Sequence, residues 1–122
     1  MITKVYAVVS TAQLSRAHEW YARLFGRSSD LHPMADVHEW YFVNGAVQLV
    51  ADAERAGRSM LTVIVSNLDA IRAEMQTRDL ALGPSSGGDF ATVAQVRDPD
   101  GNQITFAEPA TQIQVQVQAQ TA

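Results

Sequence analysis

The side chains able to do chemistry are few, and the missing types narrow the choice. There is no cysteine in the 122 residues, so disulfides, thiolate nucleophiles and Cys-ligated zinc or iron–sulfur clusters are excluded. The three histidines, His18, His32 and His38, fall in a helical pattern, a loop and the start of a strand pattern. His38-Glu39 has no second histidine four residues on, so the zinc-protease helix motif is absent. Each histidine reads as a separate surface or satisfied residue. Glu39 and Tyr41 alternate along one strand pattern and so share a face. A partly buried Glu39 beside Tyr41 would have a raised pKa and act as a general acid–base, or it would pair with a cationic ligand. The plain alternative is an edge carboxylate in water. Arg97, next to Asp98, either binds an anion or pairs with a turn carboxylate.

These residues are positioned by a repeat. Tyr6-Ala7-Val8-Val9-Ser10-Thr11-Ala12-Gln13-Leu14 corresponds to Met60-Leu61-Thr62-Val63-Ile64-Val65-Ser66-Asn67-Leu68 at a constant offset of 54 residues. Each copy is a β-branched run, then small polar residues, then a leucine that opens a helix. The first helix spans Leu14 to Phe25 with Leu14, Ala17, Tyr21 and Leu24 on one face, and Gly26 caps it. The second carries Leu68, Ile71, Met75 and Leu80, with Asn67 as N-cap and Gly83-Pro84 closing the segment. A hairpin follows each helix: Val37 to Val50 folded at Asn44-Gly45, and Ala91 to Glu108 folded at Asp98-Pro99-Asp100-Gly101. With a short further strand in each loop region, the chain reads βαβββ twice.

Alternation then assigns faces. Trp40, Phe42, Val47 and Leu49 form an apolar face that packs on the helices, leaving Glu39, Tyr41 and Gln48 on the other. In the second hairpin a three-residue Pro99-Asp100-Gly101 loop pairs Val96 with Ile104 and Ala94 with Phe106, which places Gln95, Arg97, Gln103 and Thr105 opposite the helices. The Gly- and Ser-rich stretch from Gly83 to Phe90 is a lid or an ordinary connection; it is no phosphate loop, because no lysine follows and no helix opens there. From Thr111 the tail alternates Ile113, Val115 and Val117 with glutamines, the pattern of a strand at a sheet edge or dimer contact, or else of an untethered end.

Composition fits one globular domain: 47% hydrophobic and 18% charged residues. A single domain over 1–110, with repeats at about 4–50 and 60–108 and a tail at 111–122, is expected. A net charge of −4 with only nine lysines and arginines gives no basic face for nucleic acid. No apolar run approaches the ~20 residues of a membrane span. The N-terminal stretch reads as a strand and not as an export signal, so a cytoplasmic location is expected.

The doubled βαβββ pattern, Trp20-Tyr21 ahead of Leu24-Phe25-Gly26, and Asp98-Pro99-Asp100-Gly101-Asn102 before the last strand together resemble the vicinal-oxygen-chelate superfamily, which includes glyoxalase, bleomycin-resistance and extradiol-dioxygenase proteins. The resemblance covers residues 4–108. It implies an α+β fold in which two βαβββ repeats form a curled mixed-sheet cup with helices packed outside. It also implies a cavity face of Tyr6, Glu39, Tyr41, Gln48, Met60, Gln95, Arg97, Gln103 and Thr105. Metal-using members of that superfamily bind a divalent ion at positions matched here by Tyr6, Gln48, Met60 and Thr105. None is a carboxylate or an imidazole, so neither a metal nor another cofactor is expected. The resemblance therefore points to metal-independent binding of a small, partly apolar organic molecule, such as drug or metabolite sequestration by a homodimer. A metal-independent lyase, isomerase or hydrolase using Glu39 or Tyr41 is the first alternative, and an interaction protein with a collapsed cavity the second.

Overall fold

In the computed structural model, which describes residues 1–110, the chain runs β1 (Tyr6–Thr11), α1 (Leu14–Phe25), β2 (Leu31–Met34), β3 (Val37–Phe42), β4 (Gly45–Ala51), β5 (Met60–Ile64), α2 (Leu68–Thr77), β6 (Ser86–Gly87), β7 (Ala91–Arg97) and β8 (Gln103–Pro109). The strands form two four-stranded sheets, ordered β1-β4-β3-β2 and β5-β8-β7-β6. The repeat expected from the sequence is therefore present: each sheet has the same order and one helix after its first strand. The alternating tail lies outside the described residues.

By compactness the chain divides otherwise than at the repeat boundary. Among the described residues, one unit comprises Met1–Leu61 with Arg97–Gln103, and the other Thr62–Val96 with residues 104–110. In the first unit β1 runs parallel to β4, with Tyr6 beside Ala46, and β3 runs antiparallel to β4, with Glu39 beside Gln48 and Trp40 beside Val47. Leu49, Trp40 and Val9 are buried on one face. Tyr21 and Phe25 of α1 pack there on Trp40, at ring centroid separations of 6.2 and 5.4 Å. α1 ends where Gly26 adopts φ 75°, a left-handed conformation that costs glycine little.

The first hairpin turns one residue earlier than expected. Phe42 pairs with Gly45, so the loop is Val43-Asn44, and neither residue has a positive φ. Gly45 serves another purpose: a Cβ there would lie 3.2 Å from the Val5 carbonyl oxygen, to which the neighbouring Ala46 N–H donates. The turn moves the pairing by two residues, an even number, so every side chain keeps its expected face. The second helix also stops early, at Thr77, not at Gly83-Pro84. Asp79 takes φ 58° and the Leu80 N–H returns to the Met75 carbonyl, which closes the helix without a glycine. Leu80 is still buried. Within Gly83–Phe90, Ser86 and Gly87 pair with Val93 and Thr92, forming the short further strand of the second repeat.

The second hairpin has the three-residue loop: the Asp98 N–H donates to the Asn102 carbonyl, and Gly101 stands at φ 94°. Its Asp98 side chain is 5% exposed and fully occupied. Oδ1 accepts from the Asp100 and Asn102 N–H groups at 2.9 Å each. Oδ2 accepts from the Tyr21 hydroxyl at 2.7 Å and from Asn102 Nδ2 at 2.8 Å. Asn102 also donates to the Ser10 carbonyl and accepts from the Ser59 N–H. Asp100 accepts from the Thr11 hydroxyl and the Ala12 N–H. The turn is thus bonded to the end of β1, to α1 and to the residue before β5.

The histidines, separate in sequence, are stacked. The His18 and His32 rings lie 4.0 and 3.9 Å from that of His38, each inclined by 20°. Helical and strand periodicity put His18 and His38 on facing surfaces; His32 stands not in a loop but in β2, which a tight turn folds back antiparallel on β3. Burial, and then repulsion from the other two imidazoles, lowers His38 to about 4.

Two outcomes follow. Asp98→Asn replaces an acceptor by a donor at a site offering four donors, and should cost about 3 kcal/mol in denaturant unfolding, against about 1 kcal/mol for Tyr21→Phe. The depressed His38 favours the protonated unfolded state, so stability is complete above pH 6.5 and declines as pH falls toward 4. The loss should amount to about 1–2 kcal/mol, allowing for partial exposure, and should be smaller in His38→Phe. The informative window is pH 6.5 to 5, above the ordinary carboxylate range.

Candidate functional site

The open face of the first sheet carries four of the expected site residues as two adjacent rows. Tyr6, Ala46 and Tyr41 form one row across β1, β4 and β3; Val8, Gln48 and Glu39 form the next. Alanine in the central strand leaves a gap, and the outer rings close over it edge to face, with centroids 6.3 Å apart. In the second row the centre is long and polar. Gln48 Nε2 donates to Glu39 Oε2 at 2.6 Å, and the Tyr41 hydroxyl donates to Glu39 Oε1 at 2.5 Å. Glu39 is 6% exposed, although it belongs to the open face. Both its oxygens are met by neutral donors, and among the described residues no ion pair reaches it.

These bonds set the protonation states. Donation from Tyr41, and next from Gln48, holds Glu39 below its ordinary value, with the nearby Lys4 charge adding to the effect. The raised pKa expected from burial is therefore not found, because hydrogen bonding to the anion outweighs desolvation. The same bond raises Tyr41, which stays protonated. At neutral pH the pair is a carboxylate and a phenol locked together. It accepts and donates hydrogen bonds well, but it is poorly matched to proton transfer, for which a pKa near the working pH is best.

The other expected residues fall elsewhere. Met60 is 79% exposed at the start of β5. Gln95 Nε2 donates to Thr105 Oγ1 at 3.3 Å. Arg97 donates to the Gly101 carbonyl at 2.9 Å and to Gln103 Oε1 at 3.4 Å, so it serves its own turn. Of the expected residues, Arg97 also borders a groove of about 760 Å³ between α1 and the Asp98-Pro99 turn, beside Arg16, Glu19 and Arg23. That groove lies on the helix side of the first sheet and contains none of the Tyr6–Glu39–Tyr41 group.

Two residues escaped the sequence reading. Val8 stands between Tyr6 and Ser10 on the open face and is 52% exposed. Lys4 lies in the irregular segment before β1, two residues from Tyr6, and its ammonium sits 3.9 Å from the Tyr41 ring centroid and 5.4 Å from that of Tyr6. Period-two alternation, continued one step back from Tyr6, was the available signal.

A divalent metal does not fit. Tyr6, Gln48, Met60 and Thr105 offer a phenol, an amide, a thioether and a hydroxyl, with no carboxylate or imidazole among them. Among the described residues no three His, Cys, Asp or Glu side chains converge on a point that could hold an ion; the histidine stack offers parallel rings. No helix among those residues is long and apolar enough to cross a membrane.

No protein-family model matches the sequence, and no curated protein matches it. Solved structures do. A glyoxalase/bleomycin resistance protein from Catenulispora acidiphila DSM 44928 superposes with a TM-score of 0.80 at 26% identity, over 86% of this chain and 96% of that one. TnmS3, an antibiotic binding protein from Streptomyces sp. CB03234, gives 0.71 at 18% identity, over 90% and 98%. A lactoylglutathione lyase from Agrobacterium tumefaciens gives 0.70 at 12% identity, over 87% and 92%. The doubled βαβββ order, the DPDGN turn before the last strand and these superpositions agree: by its fold the chain belongs to the vicinal-oxygen-chelate superfamily of glyoxalase and bleomycin-resistance proteins.

Proposed function

We propose that this protein binds a small, partly apolar organic molecule without a metal, as a sequestering protein and not as an enzyme of the isomerase or dioxygenase kind. The observation that carries this reading is the open sheet face itself. Two tyrosine rings and Val8 offer apolar surface, and Glu39, Gln48 and the Tyr41 hydroxyl supply a few fixed polar groups, the mixture by which small-molecule sites orient a ligand. The neighbours named for bleomycin resistance and antibiotic binding support it. The locked Glu39–Tyr41 pair argues against proton transfer and so against the hydrolase or lyase alternative. Met60, Gln95, Arg97, Gln103 and Thr105 remain candidate contacts through strand alternation alone.

Exposed apolar residues elsewhere on the strands, Leu31 at 47%, Met34 at 65% and Ile64 at 65%, support a homodimer in which a second copy covers them. A cytoplasmic location and the absence of a nucleic-acid partner are parts of the same proposal.

A thermal-shift screen of the purified protein with small aromatic metabolites, organic cations and divalent metals tests it. A ligand at 100 times its dissociation constant adds about 2.7 kcal/mol of stability. The expected result is stabilisation by an organic compound that EDTA leaves unchanged, with Glu39→Gln weakening binding. Stabilisation by a metal that EDTA reverses, or turnover of the bound compound abolished by Glu39→Gln, would overturn the reading. Light scattering should return the mass of a dimer.

A further inference from the structure

Glu39 poses a problem of charge. It is ionised, almost wholly covered, and its oxygens accept only from an amide and a phenol, with the Lys4 charge nearby but not paired to it. A buried carboxylate is stabilised far better by a cation than by neutral donors alone. Beside it, Tyr6 and Tyr41 meet at a right angle and form a corner on the sheet face, with Tyr6 38% exposed. Two phenol rings around a carboxylate make a surface that attracts a poorly hydrated cation. One cation already occupies that corner: the ammonium of Lys4, an exposed residue, lies over both rings. It does not reach within 4 Å of the carboxylate, so Glu39 remains without a direct ionic partner.

Resting on the binding reading above, we propose that the Tyr6–Tyr41–Glu39 corner is a subsite for an organic ammonium group, and that Lys4 is its internal occupant, displaced when such a ligand enters. The lysine would then set the threshold for binding. A ligand must compete with a tethered ammonium, and a quaternary or aromatic-bearing cation does so because it sheds water more readily than Lys4 does. A net charge of −4 favours the approach of cations in general.

The test is an NMR titration of the full chain with choline and, in parallel, with its uncharged tert-butyl isostere, in which carbon replaces the nitrogen. Lys4→Met removes the competing charge and should tighten choline binding about fivefold, the factor corresponding to about 1 kcal/mol of cation–π attraction. Lys4→Arg keeps a cation in place and should behave like the wild type. Adding Glu39→Gln to Lys4→Met should remove the gain, and the isostere should bind all variants equally weakly. In the wild type, choline should move the Lys4 methylene resonances away from their ring-shifted positions. Choline affinity that is the same in wild type and Lys4→Met would overturn the proposal. Equal binding of choline and isostere would also overturn it, while leaving the sheet face as a neutral binding surface. Silence of both probes, alongside an organic hit in the thermal screen, would reject the ammonium subsite alone; silence in the screen as well would reject both readings.

Discussion

A single buried carboxylate organises the first compact unit. Asp98 accepts four hydrogen bonds, two from backbone N–H groups of its own turn, one from Asn102 and one from Tyr21 on α1. An anion with four convergent donors needs no counter-ion, and the geometry leaves little choice of residue. Proline opens the turn, Asp100 turns outward to bind Thr11 and Ala12, Gly101 supplies the left-handed step, and Asn102 bridges Ser10 and Ser59. The position of α1 against Trp40, and with it the burial of the helix-side face, depends on this anchor. The opposite face stays open, and that is where the unusual polar chemistry lies.

The two buried carboxylates of the first unit, Asp98 and Glu39, make an instructive pair. Asp98 is surrounded by donors fixed in the backbone and by side chains that themselves are held, so its role ends with the fold. Glu39 is bonded only by side chains, and its neighbours are aromatic rings over which only the Lys4 ammonium lies as a nearby charge. Equal burial therefore has different meanings at the two sites: one anion is satisfied structurally, whereas the other is left with attraction to spare.

Much of this was legible in the residues. The 54-residue repeat, Gly26 as the end of α1 and the three-residue DPDGN loop are local signals, and each corresponds to a backbone conformation that few other residues allow. The faces of β3 and β4 were read correctly even though the turn was misplaced, because an even slip preserves parity. Three features were not legible. Gly45 looked like a turn residue but answers to the Val5 carbonyl, a contact made by a distant strand. The histidine stack sets α1 against the β2–β3 hairpin, and no local pattern connects the helix to that hairpin. The pKa direction of Glu39 depends on which neighbours point at each oxygen, and alternation identifies neighbours without fixing the bonds they make.

The placement of the Asp98 turn has a consequence for how the chain comes into being. The first unit ends at Leu61 except for the loop Arg97–Gln103, and Thr11 waits for an acceptor 89 residues further along. During synthesis from the N-terminus, β1, α1 and the strands of the first sheet emerge before the residues that tie them together. A nascent chain of the first repeat alone holds a helix whose Tyr21 hydroxyl has no partner and a strand end with Ser10 and Ala12 unbonded by the turn. Closing so long a loop carries an entropic cost that local structure cannot offset early. The bonds that complete the first repeat thus form only once the ribosome has delivered most of the second.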